Sequence, residues 1–170
     1  MTYNLHPIFV HFPIALLFLY SVIKIIPLKK WFPSLAWRDI ERLLLLVGVL
    51  GAFTAMVTGN IAMNIVHPEQ KLVDTHATFA FLTTLLYVLL LAGEISAVIR
   101  AKEYFKNSKA VVAVASFLEK VFCHPVFSAI IALVALVTIS ITGLLGGVMV
   151  YGLSADPLAP LMLKMLGIDY

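Results

Sequence analysis

The chain has 170 residues, of which 62% are apolar and only 12% are charged, and its mean hydropathy is +1.03. A water-soluble domain carries about 25% charged residues, so this composition excludes an ordinary soluble protein. The net charge of +3 does not indicate nucleic-acid binding, because most basic residues lie in the connections between long apolar segments. We therefore predict an integral membrane protein.

Four apolar segments are predicted to cross the membrane, since a helical span needs about 20 consecutive apolar residues. The spans cover about residues 7–26, 40–66, 76–100 and 125–151. Span one starts at Pro7, where a missing backbone N–H costs nothing, and Pro13 is expected to bend it slightly. The fold class is thus an all-α membrane protein, with residues 1–170 forming a single four-transmembrane-helix bundle.

The basic residues predict the orientation of the bundle. Ten of the twelve lie in the two connections that a four-span chain places on one side, or at the span ends beside them: Lys24, Lys29, Lys30, Arg38, Arg42, Arg100, Lys102, Lys106, Lys109 and Lys120. By the positive-inside bias this side is cytoplasmic, so both termini are expected outside.

Two further segments are predicted to be helical without spanning the membrane. The stretch NSKAVVAVASFLEKVF, residues 107–122, is read either as an interfacial helix or as an extension of span four. The tail PLAPLMLKMLGIDY, residues 157–170, is predicted to form a short amphipathic helix on the outer surface.

A weak internal repeat relates the two halves. Spans one and three begin with HFPIALL (His11) and HATFAFL (His76), and spans two and four end with Thr-Gly at Thr58 and Thr142. Two pseudo-symmetric helical hairpins would place His11 opposite His76, and chance similarity is the alternative explanation.

Four of the five histidines belong to the predicted outer side: His6, His11, His67 and His76. His67 is read as a surface loop residue, and His6 as an interfacial residue that is either solvated or a ligand. His11 and His76 are predicted to lie in or just under the hydrocarbon, where an ionisable side chain needs a partner. Ligation of a cofactor or metal and hydrogen-bonded packing are the two alternatives for this pair.

A haem explains the histidine pattern better than a small metal ion does. His6 and His11 point about 140° apart on a regular helix, and zinc would need further ligands. One histidine from each of two helices supplies both axial ligands of a haem in a bundle core. We expect one haem b near the outer face, with His11 and His76 as axial ligands and His6 as the substitute if Pro13 rotates the helix start.

Small residues at the same end are expected to make room for the porphyrin: Gly59, Gly143, Gly146 and Gly147. Close helix packing is the alternative role, because membrane helices favour glycine at their contacts. Ligation by two histidines leaves no open iron position, so such a site transfers electrons.

The inner half of the bundle offers fewer groups. Glu94 is expected to pair with His124, Lys24 or Arg100, with a proton path as the less favoured role. Cys123 is the only cysteine, and no C-x-x-C-H motif supports covalent haem attachment. No arrangement of nucleophile and base indicates a hydrolase.

The sequence resembles the bacterial family of four-span membrane proteins labelled domain of unknown function 2231. The resemblance rests on LHPIFVHFPIALL (Leu5–Leu17), the Thr-Gly end of span two, His76 and TGLLGGVMVYG (Thr142–Gly152). The family-like positions are His6, Pro7, His11, Pro13, Gly59, His76, Gly143, Gly146, Gly147 and Tyr151. Members often carry a charged residue after the Gly-Gly pair and a basic one after the tyrosine, whereas this chain has Val148, Met149 and Gly152 in that region.

The resemblance also implies association with redox partners such as cytochrome or Rieske-type domains, in a prokaryotic cytoplasmic membrane. We expect an electron-transfer subunit rather than a stand-alone enzyme, exchanging electrons between quinone or an extracytoplasmic cytochrome and a larger redox complex. The alternatives are a structural or assembly subunit, and an outer-side metal-binding or transport protein.

Overall fold

The computed structural model describes residues 6–63, 69–102 and 108–168, which are almost entirely helical and contain no strand. The helices are α1 (His6–Ile25), α2 (Leu28–Trp31), α3 (Trp37–Met63), α4 (Gln70–Ala101), α5 (Lys109–Phe122), α6 (Pro125–Tyr151) and α7 (Ala159–Met165). Among them, α1, α3, α4 and α6 are long and apolar enough to cross a membrane. This confirms the predicted four-span helical fold class, while the orientation of the termini stays a prediction. His67 lies outside the described residues.

The four long helices form a closed bundle of two hairpins. α1 packs along α3 and α4 packs along α6, and contacts of α1 with α6 and of α3 with α4 join the two pairs. One end of the bundle carries His6 and His76 and is called the histidine end. The opposite end carries the buried Glu41 and Glu94 and is called the glutamate end.

α4 is the longest of the described helices, and a side chain caps its N-terminus. The Glu69 carboxylate accepts hydrogen bonds from the backbone N–H groups of Lys71 and Leu72, at 3.3 and 3.0 Å. These N–H groups have no partner within the helix, so an N-terminal carboxylate stabilises them. The helix therefore begins at Gln70 rather than at residue 76, where the span was predicted to start.

The middle of the bundle has an apolar core, and its outer surface is also apolar. Core residues come from all four long helices: Leu17, Tyr20, Leu45, Val49, Tyr87, Leu90, Ile131, Ala132, Ala135 and Ile139. Large side chains such as Phe12, Phe53 and Leu133 are exposed on the outer faces of the helices. Apolar residues on both faces are typical of helices that contact lipid rather than water.

α1 approaches α3 closely at two glycines. A Cβ atom on Gly48 would lie 2.6 Å from Leu17 Cδ2, and one on Gly51 would lie 3.0 Å from Pro13 Cβ. Small residues at such positions allow membrane helices to pack with their backbones close together. This contact fixes which face of α1 points into the bundle.

We expect Gly48→Ala to lower the free energy of unfolding by about 1–3 kcal/mol, because the fully buried Leu17 would have to move. Gly143→Ala is the matched control, since no atom lies within 4 Å of a Cβ at Gly143. The control is expected to be neutral or stabilising, because alanine favours a helix over glycine. Thermal unfolding in detergent would compare the two, and equal melting temperatures would contradict this account of the α1–α3 contact.

The C-terminal tail folds back onto the histidine end. After the 3-10 turn at Gly152–Ala155, α7 buries Ala159 and Leu163 against Leu72 and Leu145. The Lys71 ammonium donates a hydrogen bond to the carbonyl of Gly167, which has a positive φ of 66°. The helix that the sequence predicts in 157–170 is therefore present as α7, and it is part of a second apolar core.

α5 is a separate helix rather than an extension of span four. It packs against α4, and a Cβ on Gly93 would lie 2.7 Å from Phe122 Cβ. The helix α5 ends at Phe122, and Cys123 and His124 link it to α6. Pro125 is the first residue of α6, a position where proline is favoured because its missing N–H would have no partner in the helix. Val114 and Phe117 remain exposed on the outer face of α5, as in an interfacial helix.

Candidate functional site

His6 is held by the end of α3. Its Nδ1 lies 3.0 Å from Thr58 Oγ1, and the Thr58 hydroxyl donates its own hydrogen to the Ala55 carbonyl at 3.0 Å. The His6 ring also hydrogen-bonds to the backbone of Ala55, so the end of α3 holds the ring at two positions one turn apart.

His76 is held by α6 in a similar way. Its Nδ1 lies 3.1 Å from the backbone carbonyl of Thr142, which can only accept a hydrogen bond. Nδ1 of His76 therefore carries the hydrogen. Histidines that bind a metal through Nε2 commonly have their Nδ1 held by an oxygen in this way.

A glycine lies beside each ring. A Cβ on Gly59 would lie 3.2 Å from His6 Cε1, and a Cβ on Gly146 would lie 3.3 Å from His76 Cε1. Each distance is tighter than ordinary van der Waals contact, so the glycines allow the rings to pack against the helix backbones. The two hairpins therefore repeat one arrangement, in which His6 corresponds to His76 and Gly59 to Gly146.

The correspondence differs from the one that the short sequence repeat predicts, which pairs His11 with His76. His11 is exposed on α1, and its Nδ1 donates to the Pro7 carbonyl of its own helix. His6 is the α1 histidine that lies within electrostatic range of His76. The contacts of α1 with Gly48 and Gly51 of α3 set the rotation of α1 about its axis. In this rotation His6 faces α3 and His11 is exposed.

The two other glycines of the predicted porphyrin site have different surroundings. A Cβ on Gly147 would lie 3.5 Å from Ala155 Cβ, so this glycine packs against the 3-10 turn. Gly143 borders open space. Thus Gly59 and Gly146 pack against the histidine rings, and of these four glycines only Gly143 has open space beside it.

The donor set of the histidine end is two imidazole nitrogens from two helices. Within residues 6–63, 69–102 and 108–168, no three His, Cys, Asp or Glu side chains cluster as a metal site. Two imidazoles are a complete protein ligand set for a haem iron. By the chemistry of their donors, His6 and His76 are the residues that would hold such a group.

The glutamate end contains two buried carboxylates that are paired with cations. Glu41, 2% exposed, lies 3.1 Å from Lys24 Nζ and 2.6 Å from Lys29 Nζ, so it ties α3 to α1 and α2. The sequence analysis did not single out Glu41. A charged residue beside a span is normally assigned to the interface, and no local pattern marked this glutamate as buried.

Glu94 joins α4 to α3 rather than to the partners that the sequence predicted. Its Oε2 lies 2.9 Å from Arg42 Nε and 3.7 Å from Arg38 Nε. The expected pairings with His124, Lys24 and Arg100 are not among its ion pairs, and Arg100 instead contacts Glu119 at 2.6 Å. His124 is exposed.

Cys123 belongs to the same cluster. Its thiol donates a weak hydrogen bond to Glu94 Oε1 at 3.8 Å. Burial, and then the negative charge of Glu94, raise the pKa of the Cys123 thiol to about 11. The thiol is therefore protonated at neutral pH and is a poor nucleophile or metal ligand.

These features define a helical membrane protein of four spans, with a histidine pair at one end of the bundle and buried ion pairs at the other. The chain belongs to the family described as "Predicted membrane protein (DUF2231)", which it matches over residues 2–155. The resemblance found in the sequence is thereby confirmed. No curated protein and no solved structure shows significant similarity to the chain.

Proposed function

We propose that this protein binds one haem b between His6 and His76 and serves as an electron-transfer subunit of a membrane redox complex. The observation that carries the proposal is that both rings are held through Nδ1 by an oxygen of a neighbouring helix. His6 Nδ1 lies 3.0 Å from Thr58 Oγ1 of α3, and His76 Nδ1 lies 3.1 Å from the Thr142 carbonyl of α6. Such orientation of a ligating histidine by its other nitrogen is a common feature of metal sites.

A bound haem would supply one-electron redox chemistry, and the chain's own residues would supply its ligands and surroundings. His6 and His76 come from α1 and α4, so ligation would join the two hairpins of the bundle. Gly59 and Gly146 would keep the imidazole rings close to the α3 and α6 backbones. Thr58 and the Thr142 carbonyl would fix the ring orientation.

The distribution of charge supports a proposal for which end of the bundle faces the cytoplasm. The basic residues cluster at the glutamate end, so this end would face the cytoplasm and the histidine end would lie outside. A haem near the histidine end would then exchange electrons with quinone or an extracytoplasmic cytochrome. The small extramembrane mass of the chain favours a subunit of a larger complex in a prokaryotic membrane.

The test is a dithionite-reduced minus oxidised absorption spectrum of the purified protein, together with a pyridine haemochrome assay. We expect a b-type signal close to one haem per chain. His6→Ala and His76→Ala should each abolish the signal while the protein still elutes as a folded species in size-exclusion chromatography. Each substitution would remove one of the two proposed ligands, and neither residue belongs to an apolar core.

His11→Ala is the matched control, because His11 is a second histidine of the same helix on its exposed side. This variant should keep its haem. A loss of haem on His11→Ala with retention on His6→Ala would assign the α1 ligand to the position that the sequence analysis favoured.

A structural or assembly subunit is the second candidate function. The hydrogen bonds of His6 to α3 and of His76 to α6 favour it, because such bonds also join membrane helices without any cofactor. A colourless protein that purifies with its partners would support this candidate and refute the haem proposal. In that case the histidine variants should lose their partners.

A further inference from the structure

An open apolar groove lies between α1 and α6 at the glutamate end of the bundle, and it is called here the α1–α6 groove. It has a volume of about 410 Å³ and is lined by six apolar residues: Ile25, Pro125, Val126, Ala129, Ile130 and Leu133. Val126, Ile130 and Leu133 are each at least half exposed, so the groove opens onto the lipid-facing surface of the bundle. Sites of about 300–1,000 Å³ commonly hold a small ligand.

The groove has the length and the direction of a lipid chain. Its mouth lies where α1 ends at Ile25 and α6 begins at Pro125, and from there it follows α6 to Leu133. At 1.5 Å per residue, this part of α6 is about 12 Å long. The hydrocarbon layer of one leaflet is about 15 Å thick, half of the full core. An extended acyl chain that lies parallel to α6 therefore fits along the groove.

Ala129 forms the floor of the groove. It is half-buried, whereas its neighbours Val126 and Ile130 on α6 are exposed. Since alanine has no side-chain atom beyond Cβ, it leaves space between the larger side chains around it. The depth of the groove therefore depends on one small residue, which a substitution can enlarge.

The short helix α2 lies beside the mouth, at the depth of the lipid headgroups. It begins at Leu28, three residues after the end of α1, and Lys29 ties it to the bundle through a 2.6 Å contact with Glu41. The next residues, Lys30 and Trp31, are exposed. An exposed tryptophan at the end of a span is typical of the membrane–water interface. Lys30 is therefore placed where it can meet a lipid headgroup.

The mouth has an excess of positive charge. Lys24, Lys29 and Lys30 are close in sequence to Ile25, and Glu41 is the carboxylate that pairs with the first two of them. Within residues 6–63, 69–102 and 108–168, Lys30 forms no ion pair. Three lysines with one carboxylate leave a net positive charge, which attracts anionic lipids at a membrane surface.

The other side of the mouth is the beginning of α6. Its N-cap is His124, which is exposed, and the His124 side chain does not cap the helix. Backbone N–H groups at the start of a helix attract a phosphate, as does an imidazole that can donate a hydrogen bond. This side of the mouth therefore adds to the attraction that the lysines provide.

We propose that the α1–α6 groove binds one anionic phospholipid, with an acyl chain along α6 and the phosphate at the basic mouth. The apolar walls accept the chain of any lipid, and the charge at the mouth selects a negative headgroup. Binding involves no covalent step. The site is distinct from the histidine end, and the proposal does not depend on haem.

Native mass spectrometry of the full chain in detergent would test the proposal, by titration with phosphatidylglycerol and with phosphatidylcholine of identical acyl chains. We expect one phosphatidylglycerol to bind at least about five-fold more tightly, the effect of one basic residue on an anionic lipid. Lys30→Gln should weaken this binding by about five-fold and leave phosphatidylcholine unaffected. Lys109→Gln is the matched control, because Lys109 is an exposed lysine of α5 that does not line the groove.

A second pair of variants tests the position of the acyl chain. Ala129→Phe fills the groove and should lower phosphatidylglycerol binding to the level of phosphatidylcholine. Val134→Phe adds the same ring at an exposed position of α6 outside the groove, so it should bind like the unchanged protein. Should Ala129→Phe fail to yield a monodisperse protein, Val126→Trp at the exposed mouth tests the same groove.

Equal affinity of the unchanged protein for the two lipids would overturn the proposal. Tight phosphatidylglycerol binding that survives both Lys30→Gln and the groove-filling variant would also refute it, since the lipid would then bind elsewhere. These outcomes are independent of the haem assay, because none of the variants changes His6 or His76. An absorption spectrum of the same preparations therefore tests the electron-transfer proposal separately.

Discussion

An Arg42→Ala variant is expected to lose about 3 kcal/mol of stability, the lower end of the cost of removing one partner of a buried ion pair. The substitution leaves Glu94, which is only 8% exposed, without its 2.9 Å contact. Arg38, at 3.7 Å, would compensate for a part of the lost charge, and for this reason we expect the lower end. Since the pair joins α3 to α4, its loss weakens the contact between the two hairpins. Thermal or denaturant unfolding in detergent would measure the effect.

Arg100→Ala is the control for this prediction. It removes an arginine from a pair of similar geometry, with 2.6 Å between Arg100 and Glu119, at a position where both side chains are more exposed. Solvent-exposed pairs contribute about 0–1 kcal/mol. If both variants lost the same stability, the burial of Glu94 would not be the source of the effect.

Leu163→Ala is expected to release the C-terminal tail from the histidine end. Leu163 is buried in the second core, and truncation of a buried leucine costs about 2–5 kcal/mol. Leu163 holds the tail together with Ala159 and Ile168 of the same core, so the loss should appear as local opening of the tail rather than as global unfolding. Limited trypsin digestion at the exposed Lys164 should therefore become at least about 30-fold faster, the change that corresponds to about 2 kcal/mol.

Leu161→Ala provides the comparison within the same helix. Leu161 is 59% exposed, and its truncation removes little buried surface. Cleavage at Lys164 should stay close to the rate of the unchanged chain. Equal acceleration in both variants would indicate that α7 is held by its helical structure rather than by Leu163.

The spans were predictable from sequence because membrane insertion depends on a property that each segment carries alone. The apolar segments of α1, α3, α4 and α6 satisfy this condition by composition. Their ends were less predictable. α4 begins at Gln70 because the Glu69 side chain caps it. This cap depends on the conformation of one side chain, which cannot be predicted from hydropathy.

The inward face of α1 could not be read from hydropathy, because the helix is apolar on all sides. His6 and His11 point in different directions, and only the contacts with α3 determine which of them faces inward. Those contacts depend on Gly48 and Gly51, which lie in another helix. The Thr-Gly pairs are recognisable as a repeat, but the α1 histidine beside Gly59 is His6, which lies before His11, the histidine of the sequence match.

The partners of the buried carboxylates were hidden for a similar reason. Glu94 pairs with Arg42, 52 positions away along the chain, at a height that is set by the packing of α3 against α4. Sequence analysis placed Arg42 at the start of span two and used it only as a topology signal. Arg42 is one of the basic residues on which the predicted orientation rests, and it also neutralises a glutamate of the next hairpin.

The close packing of each imidazole ring against a glycine also has an evolutionary consequence. A side chain at Gly59 or Gly146 is excluded only while a histidine ring occupies the adjacent space. In descendants of a common ancestor, loss of the histidine would remove this restriction, and the glycine could then be replaced without cost. His6 and Gly59 should therefore be inherited or lost together, and so should His76 and Gly146. The loss of one pair should not require the loss of the other.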